Sequence, residues 1–159
     1  MSSLDEIFAR LSGLPKFRSD RAATDGEIRR IETELNLRLP DEYLQFLRRF
    51  GYVHWFGHEI YGIRPANPAT GKPSITPDCV KVTRDRRNPD NPIGTCSLPP
   101  AHVVISTDGG GGNFVLFGVG ALCGGEVHYY NFIDSAEPIT TWRTFRDYLE
   151  HQIEEADVA

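Results

Sequence analysis

The chain has 159 residues, 40% of them hydrophobic, and a formal net charge of −5 at pH 7. That is enough apolar material for one core, and the acidic balance argues against nucleic acid, whose phosphates call for a concentrated basic surface. Cys79, Cys96 and Cys123 are far apart and form no Cys-x-x-Cys unit, so they read as reduced packing residues rather than zinc or redox ligands, in keeping with a reducing cytosol.

The opening, MSSLDEIFARL, lacks the long apolar run of a secretion signal or a membrane span. Leu4, Ile7, Phe8 and Leu11 share one face of a short amphipathic helix instead. Thr24 and Glu27 have capping-box spacing, which starts a helix over 25–35 with Ile28, Ile31 and Leu35 on its apolar side. Pro40 suits the first turn of a second helix over 40–49, and Asp41 and Glu42 favour its positive end. Tyr43, Phe46, Leu47 and Phe50 form the stripe of that helix, and Gly51 stops it.

Residues 64–100 hold eight of the eleven prolines and read as a loop-rich insertion. Within it, Thr76-Pro77-Asp78 can start a helix over 77–87 that turns Cys79, Val80 and Thr83 inward. Strands follow at 102–106, 113–119 and 126–132, separated by glycine-rich turns, as in an antiparallel meander. Continuous apolarity over 114–117 suggests a central strand, whereas 126–130 alternates less completely and is expected nearer an edge. Thr140 or Thr141 is the expected cap of a last helix with Trp142, Phe145, Leu149 and Ile153 on its buried side. Helices on either side of a block of strands give a single α+β domain, in which a helix pair and the final helix pack on an antiparallel sheet.

Lys81, Arg84, Arg86 and Arg87 against Asp85 give a local charge of +3, while residues 134–159 carry −5; both runs read as solvated faces. The Asp108 to Asn113 stretch, DGGGGN, lacks the Gly-Lys-Ser/Thr of a phosphate loop and reads as a turn needing positive φ. Asp108 and Asn113 are too few oxygen ligands for calcium, and Asp108 is expected to be dispensable for folding. His54 and His58 are four apart, but Gly57 between them argues against the helical face a shared metal would need. Ser97, Ser106 and Ser135 have no nucleophile-elbow glycines. The expectation is therefore a protein that is not an enzyme and has neither metal nor cofactor.

The run over residues 27–47, EIRRIETELNLRLPDEYLQFL, resembles the opening of the SUKH superfamily, which includes yeast cell-wall assembly regulators and many bacterial toxin-immunity proteins. Glu59-Ile60-Tyr61-Gly62-Ile63 is similar to that family's short strand ending in Ile-x-Gly. Residues 103–113 are similar to its strand and acidic glycine-rich turn, and the helix around Phe145 and Leu149 to its last helix. The resemblance implies one domain with its core over about residues 20–155. The chain departs from the pattern after the second helix, where Gly51-Tyr52-Val53 replaces an Asn-Gly-Gly-like turn.

A bacterial member would be an immunity protein that binds a cognate toxin, often a nuclease, and masks its active site. Carboxylates imitating the substrate's phosphates would attract the toxin's basic cleft, and Glu59, Asp108, Glu126 and Asp134 are the candidates. Trp55, Tyr61 and Tyr130 are the expected exposed aromatic anchors. A regulator or scaffold like the yeast relatives is the alternative within this class, and a small hydrolase with a dispersed active site the alternative outside it.

Overall fold

The computed structural model describes residues 2–64, 69–71, 78–88, 90, 101–131 and 137–158. Among the described residues, five helices and seven strands follow one another in the order α1, β1, α2, α3, β2, β3, α4, β4, β5, β6, β7, α5. Two capping boxes define the early helices. Ser3 and Glu6 close α1 (Leu4–Ser12), and Thr24 and Glu27 close α2 (Asp25–Leu35), each hydroxyl accepting from the third helical amide and each glutamate from the cap amide. Asn36 ends α2 in the left-handed conformation. Pro40 is the cap of α3 (Asp41–Arg49) rather than its first helical residue, and Glu32 reaches across the joint to accept from the Leu39 amide.

The strands form two antiparallel sheets. In the smaller, β1 (Arg18–Ser19) pairs with β2 (Val53–Trp55), which pairs with β3 (His58–Ile60). The larger is a meander of β4 (His102–Thr107), β5 (Gly112–Phe117), β6 (Val127–Asn131) and β7 (Thr140–Trp142). A bulge at Ile105 breaks the β4–β5 register, and the Ile105 carbonyl accepts from the Tyr61 amide just beyond β3. Ser106 adds a second tie by donating to the Glu59 carbonyl. One hydrophobic core therefore runs beneath both sheets.

Helix α4 (Cys79–Arg87) packs on β4 and carries α2 on its other side, while α5 (Phe145–Val158) packs on β7, α1 and α3. Aromatic rings fill the second junction: Phe46 and Tyr43 of α3 meet Phe145 at 5.4 and 5.3 Å, and Phe114 of β5 meets Tyr148 at 5.4 Å. Gly51 adopts φ +71° after α3, and a Cβ on Gly62 would overlap the Gly51 carbonyl. Glycine at both positions is thus imposed by close backbone approach.

Several boundaries differ from the sequence reading. Asp78, not Thr76, caps α4 by accepting from the Lys81 amide. Strand β6 is internal rather than near an edge, because Thr140, Thr141 and Trp142 form the edge strand β7 instead of starting a helix. The hydroxyl that opens α5 belongs to Thr144, which accepts from the Asp147 amide. Most of the proline-rich stretch 64–100 lies outside the described residues.

Candidate binding surface

The β2–β3 connection is the two-residue turn Phe56-Gly57, with φ of +42° and +81°, as the mirror-image hairpin turn demands. Glycine meets that demand freely. A bulky aromatic residue rarely does, yet Phe56 adopts it and remains 58% exposed. Just inside the tip, Trp55 and His58 are register partners whose rings stack at 5.6 Å.

Hairpin and C-terminal helix together enclose a cleft of about 360 Å³ lined by Trp55, Phe56, His58, Gln152, Glu155 and Ala156. The hairpin wall is aromatic and the helix wall ends in carboxylates, since Glu154, Glu155 and Asp157 are all exposed on the last turns of α5. Glu155 also meets His151 at 3.3 Å. The indole Nε1 of Trp55 is buried and has no hydrogen-bond partner. An unsatisfied buried donor costs about 1–3 kcal/mol.

The expected anchors are not exposed. Trp55 is 1%, Tyr61 6% and Tyr130 3% accessible; strand alternation turned Trp55 and Tyr130 inward, and Tyr61, just beyond β3, is held there by the Ile105 carbonyl and by Tyr43. Trp55 still lines the cleft. Tyr61 serves the core: its hydroxyl pairs with Thr107 at 2.9 Å and its carbonyl accepts from the buried Tyr43 hydroxyl at 2.5 Å. The Tyr130 hydroxyl lies 3.0 Å from Nδ1 of His128, whose Nε2 lies 2.7 Å from Glu126. Glu126 and Tyr130 are thus brought together at one imidazole, away from the hairpin.

Glu59 lies on β3 opposite His54, in a polar hollow with Arg18, Asp20, Tyr52 and Arg64. There Arg64 binds Asp20 at 2.9 Å and stacks on the Tyr52 ring at 4.2 Å. Asp134 lies outside the described residues.

Asp108 is a structural cap rather than a dispensable side chain. Its Oδ1 accepts from the amides of Gly110 and Gly112, at 2.8 and 2.9 Å, and its Oδ2 from the Tyr129 hydroxyl. Burial opposes ionisation, but those hydrogen bonds outweigh it and hold the carboxyl below the usual range, while the bond to Asp108 pushes the Tyr129 phenol up to about 12. Gly109 and Gly111 have the positive φ expected of the turn.

The basic helix is also spoken for. Arg84 pairs with Glu34, Lys81 with Asp85, and Arg86 with the buried Asn113; Arg87 donates to the carbonyls of Leu35 and His102. Arg84, Arg86 and Arg87 fasten α4 to α2 and the meander, while Lys81 and Arg84 remain exposed, so part of the +3 run is the solvated face expected of it.

Sequence reasoning missed Phe56, Gln152 and Glu155. Phe56-Gly57 between two short apolar runs carried the hairpin signal, though phenylalanine obscured it; nothing local could have told that α5 would lie beside that hairpin.

No helix among the described residues is long and apolar enough to cross a membrane. No curated protein sequence matches the chain closely enough to count as a relative. Residues 22–151, by contrast, match the SMI1 / KNR4 family (SUKH-1), a span from just before the α2 capping box that takes in the hairpin and the first half of α5 and ends before Gln152. The chain belongs to the SMI1 / KNR4 family (SUKH-1).

Proposed function

We propose that this protein is a non-catalytic binding module that neutralises a cognate protein toxin by covering its active site, with the cleft between the β2–β3 hairpin and α5 as the contact surface. Family membership supports protein binding as the general role. The observation that carries the choice of surface is Phe56, held at positive φ and exposed at the rim of an aromatic cleft with an acidic wall. Strained conformations persist where the surroundings enforce them, and they cluster at binding sites.

In this reading Phe56 is the anchor that a complementary pocket desolvates, and the Trp55 indole donates to a partner carbonyl. Glu154, Glu155 and Asp157 draw in a basic partner. Occlusion of the toxin's cleft then needs no reacting group on this chain.

The test is to recover the protein from its native cell with whatever binds it stoichiometrically, then assay the purified partner alone and with one equivalent of this chain. The expected partner is a basic toxin whose activity falls on addition, and Phe56→Ala should weaken the inhibition at least tenfold. A partner whose activity is unchanged by saturating protein would point to the regulator or scaffold role instead.

A further inference from the structure

We propose that Cys123, Glu126 and His128 form a binding site for a borderline-soft divalent cation, Zn2+ being the best match. One ligand atom from each lies within 4.8 Å of the other two. Three such donors leave the fourth tetrahedral position to water. The site is separate from the hairpin cleft and does not depend on the toxin reading.

The local backbone explains why these three meet. The Glu126 amide donates to the Cys123 carbonyl at 3.0 Å across Gly124-Gly125, and Gly125 has φ +85°, as the third residue of a type II turn requires. Cys123 and Glu126 therefore flank one tight turn. The chain then enters β6, and Glu126, just before it, lies on the same side as His128 within it, as their 2.7 Å contact shows. A thiol, a carboxylate and an imidazole six positions or fewer apart in sequence are thus collected by a turn and the start of a strand.

The imidazole is already oriented as a ligand would be. Its Nδ1 faces the Tyr130 hydroxyl at 3.0 Å and its Nε2 faces Glu126 at 2.7 Å. Packing against Phe117, with ring centroids 4.8 Å apart, fixes the ring plane. While Nε2–H donates to the Glu126 carboxylate, Nδ1 can accept from the Tyr130 hydroxyl; with the proton on Nδ1 instead, donating to the Tyr130 oxygen, Nε2 is free to coordinate, a common arrangement around zinc-bound histidine. Cys123 and Glu126 are partly exposed while His128 is buried, so a cation can enter from solvent and settle against a fixed nitrogen.

The distances require little movement. Bonds of about 2.0–2.3 Å to nitrogen, oxygen and sulfur place tetrahedral ligand atoms about 3.3–3.6 Å apart. Glu126 must withdraw from Nε2 by about 0.6–0.9 Å, and the cysteine sulfur must close in by at most about 1.2–1.5 Å. Both are rotations of partly exposed side chains. On binding, the Cys123 thiol loses its proton to solvent, the Nε2 proton of His128 is exchanged through solvent for one on Nδ1, the Glu126–His128 hydrogen bond gives way to two metal bonds, and nothing is oxidised or reduced. Cys79 offers a contrast, since burial pushes its thiol up to about 12 and it lies within the core.

The experiment uses the purified full chain under reducing conditions and two probes. With Co2+ as a spectroscopic substitute, wild type should bind one ion and show a near-ultraviolet thiolate-to-cobalt band that Cys123→Ser abolishes. Glu126→Gln should weaken binding at least tenfold, and Tyr130→Phe, which keeps the ring but not the hydroxyl, by about tenfold. Zn2+, but not Mg2+, should protect Cys123 from alkylation, read by mass spectrometry on that peptide. Cys123 and Glu126 sit on a partly exposed turn, so their variants should fold as wild type does. A cobalt band that survives Cys123→Ser, or alkylation of Cys123 at the same rate with and without Zn2+, would overturn the proposal.

Discussion

Asp108 shows how one side chain can close a turn that glycines only permit. Gly109 and Gly111 make the path sterically accessible, but the carboxylate is what holds it, by accepting from two amides and a phenol at once. Asp108→Ala should therefore cost at least about 1 kcal/mol, the scale of hydrogen bonds to a charged acceptor at a partly solvated site. Asp108→Asn, which retains an acceptor, should cost less. Urea unfolding of the two variants decides this, and equal stability of Asp108→Ala and wild type would show the cap to be superfluous.

Glu27 adds a pH dependence at the same scale. Its hydrogen bond from Arg21, at 2.7 Å, is the largest cause lowering its carboxyl to about 2, with the Thr24 cap contributing. A folded-state value below the unfolded one means that the stabilisation is fully present above about pH 4.5 and is lost as pH falls towards 2. Glu27→Gln should flatten the decline in unfolding free energy over that window and leave the slope above pH 5 unchanged. Solvent screens much of this pair, so the effect should be modest.

At the scale of elements, the parts legible in the sequence were those with a local signal. Both amphipathic helices announce themselves by cap and stripe, and the meander by three apolar runs between glycine turns. What was not legible depended on partners distant in the chain. Strand β1 is two residues long and exists because β2 pairs with it. Thr140 to Trp142 are extended because β6 offers an edge, so a threonine suited to capping became a ladder residue. Burial of the Trp55, Tyr61 and Tyr130 rings likewise follows from which sheet face meets the core, which no window around them encodes. Phe46 tests the helix packing directly. It is fully buried and touches the Tyr43, Phe50 and Phe145 rings, so Phe46→Ala should cost about 3–5 kcal/mol. A loss below about 1 kcal/mol, measured by urea or thermal unfolding, would mean that α3 is not held against α5 as described.

For the molecule as a whole, the separation of charge from anchor sets how it should meet a partner. Arg86 and Arg87 bond to Asn113 and to backbone carbonyls, and the exposed Lys81 and Arg84 are paired with Asp85 and Glu34, whereas Glu154, Glu155 and Asp157 are exposed on the last turns of α5 and Glu155 lines the cleft. These carboxylates set an acidic field beside the cleft, tempered by the Lys16 ammonium 5.3 Å from the Phe56 ring centroid. If that field steers a basic partner, the association rate should fall markedly between about 0.05 and 0.5 M salt, as the Debye length shrinks from roughly 14 to 4 Å. Dissociation should change much less, because it is governed by the desolvated ring. Replacing Glu154 and Glu155 with glutamine should lower the association rate and its salt dependence together. Phe56→Ala should instead speed dissociation by an amount equivalent to at least about 2 kcal/mol, the scale of an interface hot spot. Stopped-flow kinetics on the two variants separates the terms. Association that ignores both salt and the glutamates would refute electrostatic steering while leaving the anchor intact, and unchanged dissociation of Phe56→Ala would remove the hairpin tip from the interface.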